Sequence, residues 1–255
     1  MRVIDAGLTL ASKLERKVRV HWKPNQDLNS PFSSLFEPLA GVKIVEGMEL
    51  ASRLAFRFGR YHKLMRIVGD ITDTAYYYWN ENERLERDAE LLEPLKPFQK
   101  IHIISYWRFM KSPRPFKVFT PIPELSDRID AICDSFNEHV IGVHIRRTDN
   151  IKAITNSPIE LFEKAMAEQV QRNDRTHFYL ATDSSEIKEY LRRRFPDRIT
   201  TSKNSSRRTD ISGMQDAVVE LYCLSRTSRL FGSFFSSFSK TAAELGAIEE
   251  VTIRK

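Results

Sequence analysis

The densest chemistry in the chain is His144-Ile145-Arg146-Arg147-Thr148-Asp149, which closes an otherwise apolar run, VIGVHI from Val140 to Ile145. Such a run reads as a buried strand. In an open parallel sheet, ligands bind beyond the carboxyl ends of the strands, so side chains that follow this one are placed to meet a ligand. Two adjacent guanidinium groups offer planar, permanently charged donors to phosphate oxygens, each charge-assisted bond contributing about 1.5 to 3 kcal/mol. The implied ligand is anionic and phosphorylated; the competing explanation is a surface ion pair at a strand end. Arg207-Arg208-Thr209-Asp210 repeats the same four residues inside a polar loop. No apolar strand precedes that copy to aim its side chains, so it reads as a solvated rim.

Gly232-Ser233-Phe234-Phe235-Ser236-Ser237-Phe238-Ser239 is the second candidate, a strand end followed by hydroxyl residues at a helix start. Unpaired backbone N–H groups and the helix dipole make such a terminus an anion site, and hydroxyls add donors. Ordinary capping by Ser236 or Ser237 is the competing reading.

Alternating strands and helices must hold these residues, which places the C-terminal half in the α/β class with a parallel sheet. After the Val140–Ile145 strand, Ser157-Pro158-Ile159-Glu160 offers a helix cap, and the helix runs to about Arg172. Phe178 to Thr182 is the next strand, and Asp183 is placed to cap the following helix, with Glu186 at the capping-box position. A polar loop from Thr201 to Gly213 leads to a helix over Asp216–Arg226, a strand over Arg229–Phe234, and a helix over Ser236–Leu245 that Gly246 stops. Val251–Ile253 is a last short strand. In the N-terminal half, Ile4–Arg16 reads as an amphipathic helix, and Val18–Trp22 and Ile101–Trp107 read as strands. The four prolines between Ser112 and Pro123 mark a linker and put a domain boundary near Thr120.

The order VIGVHIRRTDN, FYLATDSSEIKEYLRRRFPDRI, DAVVELYCLSRTSRLFGSFFSSFSKTAAELGAI resembles the three motifs of the GDP-fucose-dependent fucosyltransferases of the α1,6, α1,2 and protein-O type. The similarity is closest to bacterial and α1,6-like members; it is strong over residues 120 to 250 and weak over Leu8–Phe36. The resemblance implies a GT-B glycosyltransferase, two Rossmann-like domains facing a cleft: 1–120 on the acceptor side and 121–255 holding the nucleotide sugar. It implies that Arg146 and Arg147 contact the diphosphate, that His144 lies by the guanine, that Glu220 reads the guanine edge, and that Ser236 and Ser237 bond the phosphates. The implied reaction moves fucose from GDP-fucose to a hydroxyl of a glycan with inversion, Arg146 stabilising the leaving diphosphate. Relative to the family, the chain starts almost inside its first helix, so the first strand of the N-terminal domain is expected to be missing. The lysine and glutamate that follow the arginine motif in α1,6 enzymes are absent: Asn150 stands in the lysine's place, and the glutamate's falls among Ala153, Ile154 and Thr155. Asp149 is the remaining candidate general base. The last motif is also one residue longer before its serine pair.

Composition narrows the classes further. The 255 residues carry 40 Lys+Arg against 34 Asp+Glu, a formal charge of +6, with 41% hydrophobic residues. That is enough apolar material for a core, and the basic balance suits an anionic substrate, nucleic acid or peripheral contact with an anionic membrane surface. Nucleic acid is disfavoured because no stacking aromatics interleave with the basic runs. No apolar stretch is long enough to span a membrane and none reads as a signal peptide, so the expected location is cytoplasmic. Cys133 and Cys223 have no metal-ligand spacing and read as buried apolar residues. No Asp-x-Asp occurs, so no metal and no cofactor beyond the donor substrate is expected. Trp22, Tyr76, Tyr77, Tyr78, Trp79 and Trp107 either stack on acceptor sugars or fill the core. The alternatives that stay open are a transferase of the same fold using another nucleotide sugar and a truncated or inactive GDP-binding protein.

Overall fold

The computed structural model describes residues 1–26, 28–47, 74–79, 92–105, 108–148, 151–202 and 209–255. Asp149, Asn150, Arg207, Arg208 and Trp107 therefore lie outside the described residues. Two compact units emerge: Met1–Lys23 with Pro38–Phe119, and Pro24–Glu37 with Thr120–Lys255.

In the first unit, helix α1 (Arg2–Lys13) turns Ala6 and Leu10 onto Leu95, Phe109 and Met110, four residues apart and so on one helical face. Asp5 on the same helix is buried, and its carboxylate takes Arg108 Nη2 at 2.9 Å and the Phe116 N–H at 3.0 Å. A buried carboxylate is tolerable only with such partners. Strand β1 (Val18–Trp22) pairs in parallel with β2 (Val42–Glu46), and β3 (Thr74–Trp79) in parallel with β4 (Lys100–Ser105). Trp22 is buried, which makes it core and not a stacking platform.

The second unit runs α2 (Pro123–Cys133), β5 (Val140–Ile145), α3 (Ile151–Asn156), α4 (Ile159–Arg172), β6 (His177–Thr182), α5 (Ser185–Arg194) and β7 (Ile199–Thr201). It ends with α6 (Ile211–Ser225), β8 (Arg229–Ser233), α7 (Ser237–Gly246) and β9 (Glu249–Ile253). The five strands form one sheet, ordered β7-β6-β5-β8-β9, with every pair parallel. All six residues of β5 are buried, as a central strand covered by helices on both faces requires. Phe162 and Met166 of α4 meet Val143, Ile145, Phe178, Leu180 and Phe231 in the core. The expected α/β class with parallel sheets holds.

Several local expectations do not hold, each for a tertiary reason. Ser157 is not the cap of α4; its hydroxyl is fully buried, donating to Ile253 O at 2.5 Å and accepting from Phe234 N at 2.8 Å. Asp183 does not cap α5; Ser184 does, accepting from Ile187 N at 3.3 Å. Helix α6 begins five residues earlier than Asp216, capped by Asp210 through Gly213 N at 2.7 Å. Gly246 does not end α7 by adopting a left-handed turn, since the positive φ of 53° belongs to Ala247. Cys223 is buried but Cys133 only half-buried. Strand β7 and helix α3 were not anticipated. Among the described residues, no helix is long and apolar enough to cross a membrane.

Candidate functional site

The chain leaves β5 for β6 and β7 on one side, then returns to lay β8 and β9 on the other. The carboxyl ends of β5 and β8 therefore flank the point where strand order reverses, and the loops leaving them diverge around a crevice. His144 pairs with Gly232 in the β5–β8 ladder, so the segments after Ile145 and Ser233 emerge side by side. The two sequence candidates, 87 residues apart at Arg146 and Ser233, thus share one edge because the sheet is wound this way.

Hydrogen bonds join them. Arg146 N donates to Ser233 Oγ at 3.1 Å, and that hydroxyl donates to His144 O at 3.3 Å. Asp183, just past the end of β6, accepts from Arg147 N at 2.8 Å, from Thr148 N at 3.3 Å and from Thr148 Oγ1 at 2.7 Å. The same carboxylate lies 3.4 Å from Arg146 Nε. One acidic side chain thus sets both the backbone of the arginine loop and the direction of the Arg146 guanidinium. Sequence reasoning missed this role, although Ile145 and Thr182 are in register, so the residues after them are neighbours.

The two arginines diverge. Arg147 turns to backbone carbonyls, Nη1 to Arg146 O at 3.0 Å and Nη2 to Ser157 O at 2.9 Å. Burial lowers its pKa, an effect that Asp183 and Glu160 only partly oppose. Arg146, mostly buried and paired on its Nε edge with Asp183, is the guanidinium at the crevice.

Helix α7 supplies the opposite wall. Ser236 occupies its N-cap position without a side-chain cap bond; its hydroxyl lies 3.3 Å from His144 Nδ1. The first-turn N–H groups, Ser237 among them, have no partner within the helix, and the dipole places positive potential there. Phe235 precedes this cap with φ of 57°, a conformation costly for a residue with a side chain.

His144 is 5% exposed, and its ring stacks on Phe238 at 4.9 Å between centroids. Burial first, and the Arg146 cation second, lower its pKa from 6.5 to about 4. A neutral imidazole faces Ser236 at pH 7. The unfolded chain accepts the proton first, so His144's contribution to stability is fully present above pH 6.5 and is lost as pH falls toward 4. That loss amounts to roughly 3 kcal/mol. Urea unfolding at steps from pH 7 to pH 4.5 should show His144→Gln losing less stability across the interval than the parent. Equal slopes would assign the titration elsewhere.

Glu220 lies deeper, 3% exposed on α6, accepting from Ser202 Oγ at 2.5 Å with Lys188 Nζ at 3.7 Å. Lys188 was not anticipated as a site residue; only its place inside the second motif, in the first turn of its helix, hints at it. The structure therefore brings His144, Arg146, Ser236 and Asp183 together, turns Arg147 toward Ser157, and holds Glu220 with Lys188 and Ser202. A cavity of about 660 Å³ opens at the other edge of the sheet, lined by Asn137, His139, His177 and Arg198 among others. It lies at the amino ends of β5 and β6, away from the strand-order reversal, so topology and not cavity size places the site. Among the described residues, no group of three or more His, Cys, Asp or Glu is placed to hold a metal ion.

No protein-family model matches the chain, and no curated protein matches its sequence. Solved structures do match its fold. NodZ α-1,6-fucosyltransferase, soaked with GDP-fucose, aligns over 95% of this chain and 86% of its own, at 17% identity and a TM-score of 0.60. Arabidopsis thaliana FUT1 with GDP aligns over 98% of this chain and 66% of its own, at 14% identity and 0.59. POFUT1 with GDP-fucose aligns over 99% and 91%, at 12% identity and 0.51.

Proposed function

We propose that this protein is a glycosyltransferase that moves fucose from GDP-fucose to a hydroxyl of a glycan, with inversion and without a metal. The observation that carries the reading is the convergence of the Arg146 guanidinium and the α7 N-terminus on the point where strand order reverses. Its fold likeness to structures solved with GDP or GDP-fucose supports the choice of ligand.

Each residue then has a task. The diphosphate lies between Arg146 and the first turn of α7, where Ser236 and Ser237 add hydroxyl and backbone donors. Arg147 bonds two carbonyls and so holds the loop that presents Arg146. His144 adds a neutral ring beside the base, and Glu220 accepts from the N1 and N2 hydrogens of guanine. As the bond to the anomeric carbon breaks, negative charge grows on the leaving diphosphate and the preset donors strengthen. The acceptor hydroxyl attacks the opposite face, and Asp149 is the proposed base for its proton. Charge neutralisation by an arginine and a helix terminus, with no Asp-x-Asp in the sequence, supports a metal-free route. Residues 121–255 hold the donor in this reading, and 1–120 supply the acceptor side.

A thermal-shift panel tests it. GDP should raise the melting temperature more than UDP, CDP or ADP, since none of those bases offers both guanine donors. Binding to the native state alone stabilises by about 2.7 kcal/mol at a hundredfold excess over Kd. Equal shifts for GDP and UDP would remove the guanine assignment, and turnover of another GDP-sugar in preference to GDP-fucose would remove fucose.

A further inference from the structure

Lysine and glutamate are almost never fully buried unless they are paired, yet Lys188 is 8% exposed and Glu220 3%. They come from different elements, Lys188 from the first turns of α5 and Glu220 from the middle of α6, and Ser202 joins them just past the end of β7. The Lys188 ammonium donates to Ser202 Oγ at 3.1 Å and to Ser202 O at 3.2 Å. The Ser202 hydroxyl has one proton, and it goes to Glu220 Oε1 at 2.5 Å. Lysine, serine and glutamate therefore form a directional chain of donors, and the ammonium stands 3.7 Å from the same Oε1.

We infer that Lys188 is a specificity-determining residue: through Ser202 it keeps the Glu220 carboxylate ionised and turned so that it can read a guanine-type base edge. The inference rests on the proposed nucleotide site. A base-reading carboxylate must accept two hydrogen bonds, and only the ionised form is acceptor-only. Burial alone drives a carboxyl toward its neutral form, and a nearby cation opposes that. The Ser202 hydroxyl donates to Oε1 and the Lys188 ammonium lies on that same oxygen's side, so groups outside α6 bear on the rotation of the carboxylate. Lys188 does not touch the ligand in this account; it acts through Glu220.

A purely structural ion pair makes a different forecast. Replacing such a pair by apolar side chains is often neutral or stabilising and has no reason to change which nucleotide binds. Arg128 provides the contrast: it pairs with buried Asp216, one turn earlier on α6, and has no link to Glu220 in this account.

The test is calorimetric titration of GDP, UDP and pyrophosphate into the full chain as parent, Lys188→Met, Lys188→Gln, Glu220→Gln, the Lys188→Met/Glu220→Gln double variant and Arg128→Met. GDP affinity should fall about 10- to 100-fold in Lys188→Met and Glu220→Gln, the loss of one charge-assisted recognition contact. UDP and pyrophosphate should stay within about threefold, and the double variant should lose no more than either single one, as expected for residues acting as one unit. Arg128→Met should keep the parent's GDP-to-UDP ratio. Lys188→Gln guards against misfolding of the methionine variant, and intact pyrophosphate binding reports the folded site. If both Lys188 variants keep the parent's ratio, or lose pyrophosphate together with GDP, Lys188 does not set specificity. If the parent itself does not prefer GDP, the nucleotide reading fails and this inference with it. If Glu220→Gln abolishes the preference while Lys188→Met keeps it, the nucleotide reading survives and only the role of Lys188 is lost.

Discussion

Replacing Arg146 by alanine is expected to slow fucosyl turnover by about a hundredfold to a thousandfold, the range seen when one preset donor to a developing anion is removed. The reason is geometric. Asp183 holds the Nε edge of Arg146 and, through Arg147 N and Thr148 N, the loop beneath it, so in the proposed reaction the guanidinium would meet the leaving diphosphate without reorganising. Lysine should rescue poorly, because a point charge does not reproduce the planar fork. Arg147→Ala should act differently, releasing the carbonyls of Arg146 and Ser157 and so lowering stability along with activity. Arg207→Ala and Arg208→Ala serve as controls from the second copy of the motif, which the sequence reads as a solvated rim, and are expected to leave GDP affinity within about threefold. GDP titration and donor turnover measured side by side would decide. Loss at Arg207 with retention at Arg146 would move the site.

The second large effect is expected at Gly246, at the opposite end of α7 from Ser236. A Cβ on Gly246 would stand 2.0 Å from the carbonyl oxygen of Ser225, the last residue of α6. Backbone meets backbone there, so neither side can give way by rotating a side chain. Gly246→Ala should therefore cost about 3 kcal/mol, the upper part of the range for overpacking. Gly7→Ala makes the comparison: it sits inside α1 with nothing within 4 Å of the added methyl group. That change should stabilise by about 0.5 to 1 kcal/mol, since alanine is the better helix former. Urea unfolding followed at 222 nm by circular dichroism reads both. A Gly246→Ala protein as stable as the parent would show that α6 and α7 are spaced more widely than described.

Local signals were strong where burial is uniform. VIGVHI is apolar because β5 is covered on both faces, and its bounds, Val140 and Ile145, are the expected ones. Val18–Trp22 is likewise bounded as the sequence suggests, and α4 ends at Arg172. Signals were weak where elements are short: three-residue β7 and six-residue α3 carry too few residues for a period to be read. The candidate site was legible as two arginines after a strand and serines before a helix, because both features are local in sequence.

What the sequence by itself determined is therefore the parallel α/β class, the sheet edge that carries the charge, and the residue types that can meet a diphosphate. Which of the two arginines faces the crevice was left to the tertiary structure, because Arg147 finds its partner in Ser157 only once α4 has packed against the sheet. Asp183 and Ser157 looked like helix caps since a short polar side chain before a helix usually is one. Folding gave them distant partners instead: Ser157 binds Ile253 O, 96 residues away, and Asp183 binds Thr148, 35 residues away. Lys188 and Glu220 likewise became a pair only through the fold. Capping, strand periodicity and charge runs act within a few residues and can be read along the chain, whereas a buried polar group must take whatever partner the packed interior brings within about 3 Å.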